Sequence, residues 1–351
     1  MPFSAVSMAE DLCMFHKGAT IIMKPPKKSS SVFLRMIVIG FAMACGIYIC
    51  IICLKQANTY INPPLVDMQL VQRPCQKLNV QEFEIPHLHY PKPETFSRAE
   101  CACNPVRYFA ILSMQRSGSG WFETLLNSHI NVSSNGEIFS VKGRRANASM
   151  IMTTLDRVYN LDWFTSASKN QCSAAIGFKW MLNQGLMEHH ESIVKYFNQR
   201  GVSAIFLFRR NLLRRMISVL ANSYDRYASQ LNGTHKSHVH SLEEANALAR
   251  YKPTFNLSSL LTDLKEVELT VMKALEYFNS TRHIVLYYED IVKDRSKLFE
   301  VEDFLKLPHM HLTSRQVKIH KGTLAKLISN WEDVNKTLIG TVYERFLHSD
   351  Y

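Results

Sequence analysis

The stretch RYFAILSMQRSGSGWFETLLN, residues 107–127, governs the reading of the whole chain. Residues 107–114 are a short apolar run of strand length, which reads as a strand buried on both faces. A tight Ser/Gly turn follows, and residues 120–127 read as the start of a helix. A strand, a glycine-rich loop and a helix in that order present backbone N–H groups and a helix N-terminus to an anion. Gly118 and Gly120 permit close approach of the backbone, and Arg116 adds a fork-shaped cation that suits phosphate. An ordinary strand-to-helix turn would use similar residues, so the loop needs support from the rest of the chain.

That support comes from the pattern around it. Residues 174–180, 203–208 and 283–288 read as further strands. Helices are expected after residue 208 to about 228, over 257–277, and after 288 to about 305. Strands separated by helices imply parallel pairing and a three-layer α/β domain, which binds ligands beyond the carboxyl ends of its strands. The loop lacks the Lys-Ser/Thr pair of a nucleoside triphosphatase loop, and its basic residue precedes the glycines. ATP phosphoryl transfer therefore lacks its usual magnesium ligand here. A dinucleotide-type G-x-G-x-x-G is absent as well. The strand over 203–208 runs into Arg209, Arg210, Arg214 and Arg215, with Ser218 eight residues after Arg210.

At this point a family resemblance emerges. Arg116-Ser117-Gly118-Ser119-Gly120-Trp121 resembles the 5′-phosphosulfate loop of the sulfotransferase superfamily, commonly Arg/Lys-Ser-Gly-Ser/Thr-Ser/Thr followed by a large apolar residue. The Arg210 to Ser218 spacing resembles that family's 3′-phosphate motif. Tyr288-Glu289-Asp290-Ile291 is similar to its Tyr-Glu-Asp strand end, whose tyrosine packs on adenine. His320-Lys321-Gly322 resembles the later loop that closes on the 3′-phosphate. The resemblance is nearest to membrane carbohydrate and nodulation-type sulfotransferases. It implies a nucleoside triphosphate hydrolase-like P-loop fold and 3′-phosphoadenosine 5′-phosphosulfate (PAPS) as co-substrate, without a metal. Arg116, Ser117, Gly118, Ser119, Gly120, Trp121, Arg210, Ser218, Tyr288, Lys321 and Gly322 would then hold the nucleotide. Two departures stand out: Gly120 occupies a position that often carries a hydroxyl, and Leu212 stands where cytosolic members often have proline.

Sulfuryl transfer needs a base for the acceptor's proton and cations for charge developing on the leaving group. Glu137, after Asn135-Gly136, resembles the catalytic glutamate of several Golgi sulfotransferases. Lys179, at a strand end, resembles strand-end lysines that help stabilise the leaving group, as Arg116 would. A surface glutamate after a turn and a plain strand-end lysine are the competing readings. His235, His238 and His240 share a polar segment better suited to acceptor contact or exposure than to a metal. His129 is expected to cap or pack the end of the loop's helix. Trp180 and Trp331 read either as sugar platforms or as core.

The remaining sequence concerns location. Residues 36–54 carry no charge between Arg35 and Lys55, and 19 helical residues at ~1.5 Å each span about 28 Å. Lys24, Lys27, Lys28 and Arg35 crowd the N-terminal flank, which orients the span with its N-terminus cytosolic. The expected organisation is a cytosolic tail over 1–31, a signal-anchor helix over 32–54, a luminal stem over 55–102 and a catalytic domain over 103–351. Six N-x-S/T sequons, at Asn131, Asn147, Asn232, Asn256, Asn279 and Asn335, all follow the span. Cys75, Cys101, Cys103 and Cys172 would face an oxidising lumen as two disulfides of open connectivity. Cys13, Cys45, Cys50 and Cys53 belong to the tail and span. The expectation is a type II Golgi membrane glycoprotein acting on a glycan or other hydroxyl acceptor. A net charge of +11 favours an anionic partner, but no basic tail of the nucleic-acid-coating kind is present. Two other readings stay open: an ATP-dependent kinase, for which Glu289-Asp290 is a magnesium-binding look-alike, and a silent glycan-binding protein on the same fold.

Overall fold

The computed structural model describes residues 30–61, 80–169, 172–231 and 233–348. Cys13, Cys75 and Asn232 lie outside them, as does most of the expected cytosolic tail. The chain divides into two units, Met1–Pro74 and Cys75–Tyr351. In the first, α1 (Ser30–Ile61) contains the apolar stretch Arg35–Lys55. Its 21 residues are long and apolar enough to cross a membrane, and none of the stretch is buried.

The second unit is an α/β domain around five parallel strands. In chain order its elements are β1 (Arg107–Ser113), α2 (Ser119–Ser128), β2 (Val132–Ser134), α3 (Ala148–Tyr159), β3 (Ala175–Met181), α4 (His190–Gln199), β4 (Ser203–Phe208), α5 (Leu212–Ala228), α6 (Leu242–Ala249), α7 (Leu257–Tyr277), β5 (His283–Tyr287), α8 (Tyr288–Lys293), α9 (Lys297–Phe304), α10 (Leu324–Leu327) and α11 (Trp331–Leu338). The sheet order is β2-β3-β1-β4-β5 and every pairing is parallel. The four strands expected from sequence are all present. The fifth, β2, is a three-residue edge strand, too short to show a pattern.

Strand alternation builds two cores. Tyr108, Ala110 and Leu112 of β1 face one side with Ala204, Phe206 and Phe208 of β4. Phe109, Ile111, Ile205 and Leu207 face the other, against Phe122, Leu125 and Leu126 of α2. Period-two placement buries both faces because helices cover both. A third apolar cluster joins α5 and α7 to the C-terminal segment through Leu213, Ile217, Leu264, Val334 and Leu338. Trp180 belongs to the core and not to a sugar platform. It is fully buried, stacked on Phe139 at 4.0 Å, and its indole N–H donates to Gln184 O at 2.9 Å. Its position on β3 turns the ring toward the α3 layer. Trp331 packs against the third cluster.

Residues 80–102 lie against this domain. Glu84 is 4% exposed and accepts from Arg107 at 2.6 Å, with Arg282 at 3.6 Å. Burial works to raise the Glu84 carboxyl, but Arg107, Arg282 and Lys306 outweigh it and hold the group below its usual range. His89 forms an antiparallel bridge with Val106, and Cys101 is bonded to Cys172 just ahead of β3. Cys103 is also disulfide-bonded. Pro and Gln in this segment suppress regular structure, but they do not prevent packing: a buried ion pair and a disulfide fix an irregular chain well enough.

Candidate active site

All five strands end at one edge, and each delivers a residue there. β1 leads into the loop of residues 114–118, which holds two left-handed residues, Arg116 (φ 64°) and Gly118 (φ 87°). Such a turn gathers successive N–H groups into a concave anion seat in front of α2. For Arg116 the conformation costs about 1 kcal/mol or more, which the surroundings must hold in place. Gly118 is required by space as well: a β-carbon there would lie 2.3 Å from the ring of Tyr288. Ser117 is buried, and its hydroxyl has no hydrogen-bond partner among the described residues.

The loop forms one wall of a cleft of about 350 Å³. Arg116, Gly118, Ser119, Gly120 and Trp121 line it, with Glu137, Lys179, Arg209, Ser218, His238, Tyr288 and His320. Arg116 Nε donates to Ser218 Oγ at 2.9 Å and its Nη1 donates to Ser237 O at 2.8 Å. Burial, then the neighbouring Arg209 and Arg226, push Arg116 down to about 10, so it stays charged at neutral pH. Trp121 and Tyr288 meet edge to face at 5.4 Å, with Arg295 over the indole at 4.7 Å and Arg209 over the Tyr288 ring at 5.1 Å.

At the other side of the cleft, Lys179 joins two carboxylates. Its Nζ lies 3.2 Å from Glu123 and 3.4 Å from Glu137. Glu123 is buried on α2 and also accepts from Ser134 Oγ and Gly136 N at 2.7 and 2.9 Å. Glu137, half-open to the cleft, accepts from Gln184 Nε2 at 3.1 Å. Glu123 thus ties β2, α2 and β3 together and holds Lys179 beside Glu137. Its sequence signal is a carboxylate within the mostly apolar run WFETLL.

The arginine cluster after β4 divides by strand geometry. Arg209 is largely covered and turned toward the cleft, 3.6 Å from Glu289. Arg210 points the other way: it is half-exposed, paired with Asp290 at 2.7 Å, and stacked on Tyr287 at 3.8 Å. Arg209 therefore lines the cleft, whereas Arg210, expected at the ligand edge from its spacing to Ser218, leaves the strand end on the opposite side. Arg214 and Arg215 are buried, not a solvated face, and Arg214 donates to Gly322 O at 3.0 Å. Glu289 and Asp290, the magnesium-binding look-alike, are engaged with these arginines and with the N–H groups of Arg210 and Asn211. From the later loop it is His320 and Lys318 that line the cleft; Lys321 and Gly322 do not.

The three histidines of the polar segment diverge. His235 pairs with Asp225 at 2.6 Å; His238 and His240 are both exposed, and of these two His238 borders the cleft. His129 is buried at the C-cap of α2 and bonds Pro308 O at 3.0 Å. Ser218, Asn222 and Arg226 line the cleft from one face of α5 at i, i+4 and i+8, a spacing readable in the sequence but not singled out there.

A cationic cleft at the carboxyl edge of a parallel sheet, floored by a strand–loop–helix anion seat, suits an anionic ligand on a P-loop-like α/β fold. The sulfotransferase domain model matches residues 107–341, and the chain belongs to that family. Nodulation protein H of Rhizobium meliloti is 23% identical over 248 residues, covering 69% of this chain and 95% of that protein. Among solved structures, a sulfotransferase from Alicyclobacillus acidocaldarius aligns over 69% of this chain and 96% of its own, at 12% identity and a TM-score of 0.38. A mouse sulfotransferase complexed with PAP aligns over 58% and 60%, at 15% identity and a TM-score of 0.31. Membership of the sulfotransferase family makes the protein a sulfuryl transferase.

Proposed function

We propose that this protein transfers a sulfuryl group from PAPS to a hydroxyl of a glycan or other secretory-pathway acceptor, as a single-pass type II Golgi membrane protein with a luminal catalytic domain. One observation carries the reading: the loop 116–121, Arg209, Ser218 and the Trp121–Tyr288 pair converge on one cleft that Glu137 and Lys179 also enter. The residues present fit the nucleotide. The orphaned Ser117 hydroxyl and the loop N–H groups suit its 5′ side. Arg209, Ser218, Lys318 and His320 suit its 3′-phosphate, and Trp121 with Tyr288 suits adenine. When bound, PAPS supplies the sulfuryl group and a phosphate leaving group.

In this assignment Glu137 accepts the acceptor's hydroxyl proton as the new O–S bond forms. Arg116 and Lys179 stabilise the charge that gathers on the leaving phosphate as its bond to sulfur breaks. Glu123 keeps Lys179 within reach of both. The products are a sulfate ester and adenosine 3′,5′-bisphosphate. The apolar helix α1, the sequons and the Cys101–Cys172 disulfide support an oxidising luminal setting. The family resemblance in sequence supports a carbohydrate acceptor.

The test is a thermal shift of the full-length protein in detergent, with adenosine 3′,5′-bisphosphate in one arm and ATP plus magnesium in the other. A rise with the bisphosphate and little with ATP supports the reading. A rise only with ATP plus magnesium overturns it in favour of a kinase.

A further inference from the structure

Gly120 stands in the loop where a hydroxyl-bearing residue is common, and the structure shows what fills that place. Gly120 is buried, and a β-carbon built on it would lie 2.4 Å from Cε1 and 2.5 Å from Nε2 of His238. The imidazole therefore occupies the volume that a serine or threonine side chain at position 120 would take. His238 arrives from the segment between α5 and α6, far away in sequence, and borders the cleft with Ser119, Glu137 and Lys179. The residue is exposed to solvent at the cleft, and its ring makes no hydrogen bond to protein among the described residues. Partial desolvation, with Lys179 and Arg116 nearby, holds it below its usual range, so it is neutral at pH 7 and carries one N–H to donate.

We propose that His238 replaces the missing loop hydroxyl, donating its ring N–H to an oxygen on the 5′-phosphate side of the phosphosulfate. This inference rests on the PAPS reading above. Gly120 and His238 form a matched pair: the glycine admits the ring, and the ring supplies the donor that the glycine lacks. As negative charge grows on the leaving phosphate, a donor fixed at this point strengthens.

The test uses full-length protein in three forms, His238→Ala, Gly120→Ser and the double variant, with calorimetric affinities for adenosine 3′,5′-bisphosphate and adenosine 3′-phosphate, which lacks the 5′ group. His238→Ala is expected to weaken the bisphosphate by about tenfold or more, the size of one hydrogen bond to a charged group, and to leave adenosine 3′-phosphate unchanged. Gly120→Ser alone is expected to weaken the bisphosphate too, because its β-carbon meets the imidazole. The double variant should recover to within about threefold of the parent, since the serine then has both room and a hydroxyl. Unchanged bisphosphate affinity in His238→Ala overturns the assignment, as does a double variant no better than His238→Ala. Equal losses for both nucleotides also overturn it, since they would mark a merely structural role. A parent protein that binds neither nucleotide overturns the PAPS reading itself.

Discussion

The arginine pair after β4 gives the sharpest test of the nucleotide site. Arg209 and Arg210 are chemically identical neighbours, yet the structure sends one into the cleft and the other to the surface. Arg209 is 10% exposed and lies between Glu289 and the Tyr288 ring, so a phosphate reaching it meets a guanidinium largely stripped of water. A charge-assisted hydrogen bond in such a setting contributes about 1.5–3 kcal/mol. Its loss in Arg209→Ala should raise the Kd for adenosine 3′,5′-bisphosphate roughly 10- to 150-fold. Arg210 is 54% exposed and its partner Asp290 38%. A pair that open contributes about 0–1 kcal/mol to stability, so Arg210→Ala should change the Kd by less than about threefold. Isothermal titration of both variants at fixed salt, alongside thermal unfolding, measures the difference. The reverse result, with Arg210→Ala losing affinity and Arg209→Ala unaffected, would refute the structural argument and restore the spacing-based assignment of Arg210 to the 3′-phosphate.

Three further outcomes follow from the geometry. Glu137→Gln should cut turnover by about 10²–10⁴-fold while leaving bisphosphate affinity near that of the parent, as read from single-turnover kinetics beside titration; near-normal turnover would move the base elsewhere. Burial, with Arg209 and Arg214 close by, pushes Lys318 down to about 8, so bisphosphate affinity should fall as pH rises from 7 to 9, and Lys318→Gln should flatten that profile. Without ligand the sign is opposite: the unfolded lysine, near 10.5, binds more protons than the folded one between about pH 8 and 10.5, so this group alone makes stability rise with pH there. Glu84→Gln should cost on the order of 3 kcal/mol at pH 7, because it leaves Arg107 buried without its anion. The Glu84 carboxyl is held below its ordinary 4.5, so its stabilisation is present above that pH and is lost as pH falls through the folded value. Denaturant titrations at pH 7 and pH 4 should therefore differ less for the variant than for the parent.

Much of this protein is legible in its sequence, because local physics writes it there. Apolar runs of strand length flanked by turn residues located four of the five strands, and β4 and α7 fall at the residues expected. The strand–glycine loop–helix junction and Tyr288 could be read because each depends on residues adjacent in the chain. What sequence could not supply is the direction in which side chains leave the sheet edge and what meets them there. The choice between Arg209 and Arg210, the burial of Trp180, the bridge from Glu123 through Lys179 to Glu137, and the imidazole of His238 lodged against Gly120 are decided by contacts between segments remote in sequence. A motif fixes which residues reach the edge of the sheet, but only the packing of five strand ends against one another determines which of them share a cleft.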